Sequence, residues 1–194
     1  MLTEKGMLKR LRGEELRSIG NRGFVLIKLK DRDRLQYLTL ARENQQIAIA
    51  TNGGRILRFP INDEQIPAMG RNAQGNQALR LRRGEKLVGC ATLSENKNLL
   101  LVTELGYGKQ MDANTIRLSK RGDIGTQAIS FSNKQDRLAK MLVAPSGKEA
   151  IITTNTEQRL SLAIDDVEVL PRDSQGVKVV KLKPEETVSS IYLT

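Results

Sequence analysis

A period of about fifty residues runs through the chain and decides what it can fold into. Gly23, Gly75, Gly125 and Gly176 stand 52, 50 and 51 positions apart. Thr3, Thr51, Thr103 and Thr154, each opening a turn, stand 48, 52 and 51 apart. Two independent markers with one period define a repeat array, in which each unit buries its apolar face against its neighbours. The expected units are 1–48, 49–100, 101–150 and 151–194, together forming one repeat domain.

Within each unit the pattern is that of strands. "AIAT", "LLLVT" and "AIITT" are short apolar runs that stop at turn signals. "VLIKLK", "ALRLR" and "KVVKL" mix apolar and basic positions over strand lengths, as a sheet with one wet face requires. Asn52-Gly53-Gly54 marks a hairpin, because such turns need positive φ. No segment sustains a 3.6-residue apolar stripe. The fold class is therefore all-β, a propeller-like or solenoidal array of four blades. A sandwich, the competing fold, would not need equal spacing.

Composition narrows the chemistry. The 194 residues include no His and a single Cys, so His-based acid–base work, catalytic triads and thiolate zinc clusters are excluded. Acidic residues are scattered or paired, as at Asp165-Asp166, without calcium-loop spacing. There is no phosphate-binding P-loop and no dinucleotide fingerprint. No catalytic residue, metal, cofactor or small-molecule substrate is expected, and Cys90 reads as a structural thiol. No apolar run is long enough to span a membrane, and the first eighteen residues lack a secretory block, so a soluble intracellular protein is expected. Thirty-two Lys and Arg against 22 Asp and Glu give a net charge of +10, which favours polyanions through counterion release. Aromatics make up only 3%, too few for stacking single-stranded bases, so duplex DNA fits better.

The segments "TNGGRILRF…MGRNAQG", "LLVTELGYGK…SKRGDIGTQAISF" and "RDSQGVKVVKL" resemble repeats of the C-terminal domain of the A subunit of DNA gyrase and of its topoisomerase IV counterpart. The resemblance spans all four units, and the Gly106-to-Lys109 turn followed by an Arg-Gly loop is its most specific piece. It implies a β-pinwheel, a disc whose blades exchange strands and whose basic rim bends duplex DNA without reading sequence. It implies a non-catalytic domain working with the rest of the A subunit plus the ATPase subunit, in bacterial cytoplasm or an organelle of bacterial descent. Cleavage and ATP hydrolysis would lie elsewhere in an enzyme that introduces negative supercoils. Two departures stand out. "SKRGDIG" keeps Arg121, Gly122 and Gly125 of the gyrase box but has Ser119 and Asp123 where the box has Gln and Gly. Such domains also usually have five or six blades, so these four are expected to be the last four of a longer domain.

Net charge falls from +5 over residues 1–48 to +4 over 49–100, +3 over 101–150 and −2 over 151–194, so DNA is expected on the first three blades. The loop arginines four residues before the anchor glycine, Arg71, Arg121 and Arg172, are the first candidates for phosphate contact, with Arg17 and Arg22 in the first unit. Each could instead tie one blade to the next. Lys9, Arg10, Arg55, Arg58, Arg82, Arg83, Lys109 and Lys120 are the other candidates, in hairpins and strand ends. Gly23, Gly75, Gly125 and Gly176 are expected to shape the loops, and Tyr107 to be a packing residue. A propeller-like scaffold for an acidic protein partner is the competing function.

Overall fold

A computed structural model describes residues 1–17, 23–94 and 97–194. The first unit supplies β1 (Leu2–Thr3), β2 (Met7–Leu8) and β3 (Leu35–Tyr37). The second supplies β4 (Gln46–Thr51), β5 (Arg55–Pro60), β6 (Asn76–Gln77) and β7 (Leu87–Leu93). The third supplies β8 (Asn98–Thr103), β9 (Tyr107–Asp112), β10 (Thr126–Gln127) and β11 (Leu138–Val143). The fourth supplies β12 (Glu149–Thr154), β13 (Arg159–Ala163), β14 (Val177–Lys178) and β15 (Val188–Leu193). The expected unit boundaries fall inside β4, β8 and β12, because an apolar strand carries no punctuation at its start.

Four antiparallel sheets form the blades, and no blade with four strands is made by one unit. The sheet orders are β3-β1-β2-β6, β10-β5-β4-β7 and β11-β8-β9-β14, so β6, β10 and β14 each leave their own unit to pair with the unit before. The fourth sheet, β13-β12-β15, has three strands. Strands β7, β11 and β15 lie beside one another from blade to blade, which places the donated strands at the rim. The strand exchange implied by the family resemblance is present.

The cores lie between the blades. Leu2 and Leu8 pack with Ile49, Leu57, Phe59 and Leu79 between the first two. Ala48, Ile56, Leu101, Met111, Ile129 and Leu138 fill the second joint, and Leu100, Val102, Ile152, Ile164 and Val188 the third. Each joint thus buries the outward face of one blade under the strands and loop of the next, which is why the apolar runs sit at the same place in every unit.

The anchor glycines make the exchange sterically possible. Gly75, Gly125 and Gly176 have φ of +86°, +85° and +86°, and a Cβ on them would lie 2.5, 2.9 and 2.8 Å from the carbonyl oxygens of Leu8, Ile56 and Gly108 on the accepting strand. Gly23 differs from its expected repeats: open space surrounds its Cβ position, and residues 23–25 pair with no strand among the described residues. Gly125→Ala is therefore expected to cost about 2 kcal/mol or more, a fall of roughly 4–8 °C in melting temperature for a chain this long. Gly23→Ala should stay within about 0.5 kcal/mol. Thermal unfolding of the two variants checks the contrast.

Candidate nucleic-acid interface

The Arg-Gly loops cross the rim, and two of their three arginines grip protein. Arg121 donates from Nη1 to the carbonyl of Gln77 at 3.0 Å and from Nε to the carbonyl of Gln65, while its backbone N–H reaches Gln65 Oε1 at 2.7 Å. Arg172 repeats the main contact, Nη1 to the Gln127 carbonyl at 2.7 Å. Gln77 and Gln127 end the donated strands β6 and β10. Both arginines thus latch a donated strand to the following loop, the inter-blade role that the sequence had left open. Arg71 is exposed, with Nε 4.0 Å from Glu15, and its side chain is the freest of the three.

Several hairpin cations are not at the surface, which corrects the sequence reading. Lys9 is 2% exposed, its ammonium donating to the carbonyls of Leu26 at 2.7 Å and Arg71 at 2.6 Å. Lys109, at the same repeat position, is fully buried. It donates to the carbonyls of Pro171, Arg172 and Ser174 at 2.7, 2.8 and 2.9 Å and to Ser174 Oγ at 3.2 Å. An ammonium has three donors in a compact head, so it can tie together loop carbonyls that have no strand partner. Arg55 is 2% exposed, paired with Glu85 and donating to the carbonyls of Ile124 and Arg80. Arg10 is paired with Asp63, and Arg58 is buried beside Asn114. These cations went unrecognised as interior because alternation marks which side of a strand faces inward, not whether a neighbouring loop covers the other.

Exposed cations remain in another series. Arg82 and Arg83 are exposed, as expected, and so are Lys120 and Arg17; Arg22 lies outside the described residues. Arg82 and Arg83 belong to a turn that every unit repeats. The N–H groups of Asp33, Glu85, Asp136 and Glu186 donate to the carbonyls of Lys30, Arg82, Asn133 and Lys183 at 3.0–3.1 Å. The carboxylates of Asp33, Glu85, Asp136 and Glu186 accept backbone N–H groups of their own turn or the adjacent hairpin, as from Lys5 at 3.0 Å and Leu105 at 3.1 Å. Anchored this way, the turns hold exposed Lys30, Arg32 and Arg34 in the first unit, Arg80 and Lys86 beside Arg82 and Arg83 in the second, and Lys134 and Arg137 in the third. The residue after the carboxylate is Arg34, Lys86 and Arg137, then Thr187 in the fourth unit. The sequence does carry the signal, an acid spaced by 52, 51 and 50 within basic loops. It was missed because acids in a basic loop read as incidental.

Tyr107 is half-buried, with Lys178 Nζ 4.8 Å above its ring, so the tyrosine helps seat donated β14. Cys90 is partly buried on β7, and burial pushes its thiol up to about 12, which makes it a poor nucleophile.

An array of strand-exchanging β-blades with a charged rim is a β-pinwheel. The family described as "DNA gyrase C-terminal domain, beta-propeller" matches residues 1–41, 45–94, 97–145 and 160–194, and the chain belongs to that family. It is 34% identical over 201 residues to the A subunit of DNA topoisomerase 4 from Synechocystis sp., covering 96% of this chain and 22% of that protein. Against the A subunit of DNA gyrase from Ureaplasma parvum it is 34% identical over 191 residues, covering 98% of this chain and 22% of the relative. The chain therefore spans about a fifth of the length of these relatives. The solved C-terminal domain of DNA topoisomerase IV superposes with a TM-score of 0.88 at 19% identity, over 99% of this chain and 60% of that one. The solved DNA gyrase A C-terminal domain gives 0.82 at 22% identity, over 98% and 63%.

Burial pushes the Lys109 ammonium down from 10.5 to about 8. The unfolded chain then binds more protons than the native one between those values, so the Lys109 contribution to stability rises with pH from about 8 to 10.5. Lys109→Met is expected to remove that slope and, by leaving loop carbonyls unpaired, to cost about 2–4 kcal/mol near neutrality. Urea unfolding of both proteins across this pH range reads both effects.

Proposed function

We propose that this domain binds duplex DNA without sequence preference and bends it around the rim, as the non-catalytic accessory domain in the A subunit of a type IIA topoisomerase. The observation that carries the reading is the exposed cation after each anchored turn carboxylate, present in three units and lost in the fourth, where the net charge also turns negative. Cations repeated at the blade spacing neutralise phosphates at intervals along a curved path. Affinity then comes from counterion release, and selectivity from the ease with which a sequence bends. Backbone contact of this kind positions a duplex without reading base edges. The anchored turns matter because a cation held on a fixed loop loses less freedom on binding.

In the whole enzyme, a bent duplex held on one side would bias which segment is passed through the break, supporting ATP-dependent negative supercoiling. The partners implied are the remainder of the A subunit plus the ATPase subunit. The family membership and the relatives' names support this reading.

The test compares binding to a short duplex and to one several times longer across a salt series. Tight, length-dependent binding with a steep salt slope is expected. Arg82→Ala/Arg83→Ala should flatten the slope by about 2, one for each phosphate contact removed. Arg121→Ala should act mainly on thermal stability, since its guanidinium holds Gln65 and Gln77. Binding indifferent to duplex length would refute wrapping.

A further inference from the structure

The middle joint of the array treats one buried position differently from its repeats. Arg10, Arg58 and Gln110 each stand seven residues after a turn threonine and bridge in parallel to Ala68, Leu118 and Val169 of the next unit. In the first joint Arg10 pairs with the carboxylate of Asp63. In the third the position is neutral, and the Gln110 amide donates to the carbonyls of Ile164 at 2.8 Å and Val167 at 3.1 Å. In the second joint the corresponding turn offers Asn114 in place of an acid. Arg58 Nη1 donates to Asn114 Oδ1 at 2.7 Å and the residue is only 7% exposed; its Nε is buried without a partner, as is that of Arg10, so the missing carboxylate is what sets this joint apart.

No carboxylate among the described residues lies within ion-pair distance of Arg58. Burial pushes its guanidinium below the ordinary value, with a weaker upward pull from Asp112, whose Oδ1 is already held by the Asn114 N–H at 2.8 Å. A buried cation without a counter-charge is costly, and both neighbouring joints avoid that cost. The guanidinium lines a cleft of about 520 Å³ between the second and third blades, whose wall also carries Arg42, Lys97, Ser94 and Asn114, with Glu43 the acid on its described part. Three cations, a hydroxyl and several amides line it, donors of the kind that hold a phosphate group.

We propose that this cleft is a phosphate-binding site, with Arg58 at its floor and Arg42 and Lys97 at its mouth. The phosphate is either a backbone phosphate of bound DNA, which rests on the function proposed above, or a free phosphate ion, which does not.

The test measures the melting temperature of the full 194-residue chain in rising inorganic phosphate, with chloride holding ionic strength constant. Wild type should be stabilised by phosphate. Arg58→Gln, which places there the residue that the third unit uses, should still fold and should need at least about tenfold more phosphate for the same response. Equal responses in the two proteins, or none in wild type, would overturn the site. A short duplex then separates the sources. If it abolishes the phosphate response and binds Arg58→Gln about tenfold more weakly, the occupant is a backbone phosphate. If it binds both proteins alike and leaves the response intact, the occupant is the free ion. If wild type binds no duplex of any length, the DNA reading fails, and the phosphate response alone decides the cleft.

Discussion

The fold depends on each unit after the first laying a two-residue strand on the rim edge of the unit before it. Those strands are too short to hold a joint by hydrogen bonding, since each net bond contributes about 0.5–1.5 kcal/mol. The joint between the second and third blades buries Leu99, Leu101, Met111, Ile116 and Leu138 among others, and each such side chain contributes about 1.5–3 kcal/mol. Packing therefore holds the blades together, and the donated strand sets their register. The positive-φ glycine at the entry to that strand is what lets the backbone come close enough to pair.

Charge takes on two tasks in this architecture. A loop that crosses from one blade to the next leaves carbonyls without strand partners, and Lys9, Lys109, Arg121 and Arg172 satisfy them. A basic protein of this kind thus spends part of its positive charge on its own backbone. Part of the exposed charge is carried by turns whose anchored carboxylates fix their shape. Arg58 belongs to neither group, being buried like the first and incompletely paired like neither.

The four-unit period, the all-β class and the glycines that shape three loops were legible because they rest on local requirements: turn stereochemistry and strand-length apolar runs recur wherever the same loop recurs. The family resemblance rested on the same residues. The candidate site was legible only in part. Arg82 and Arg83 were read as surface cations and are exposed. Lys9, Arg55, Arg58 and Lys109 were read the same way and are interior. A strand pattern says which side chains share a face, and a basic residue on the outer face looks solvated until a loop some sixty residues later covers it, as residues 171–174 cover Lys109. Gly23 shows the same limit in reverse, since it keeps the repeat spacing without any strand against it.

What the sequence determined by itself is the number of units, their strand character and the excess of positive charge, because each is a sum over local residues. What only the tertiary structure decided is which cations face water, and which blade each short strand belongs to. Both depend on contacts between residues a whole repeat apart, and the same side chain is buried or free according to what the next unit lays over it.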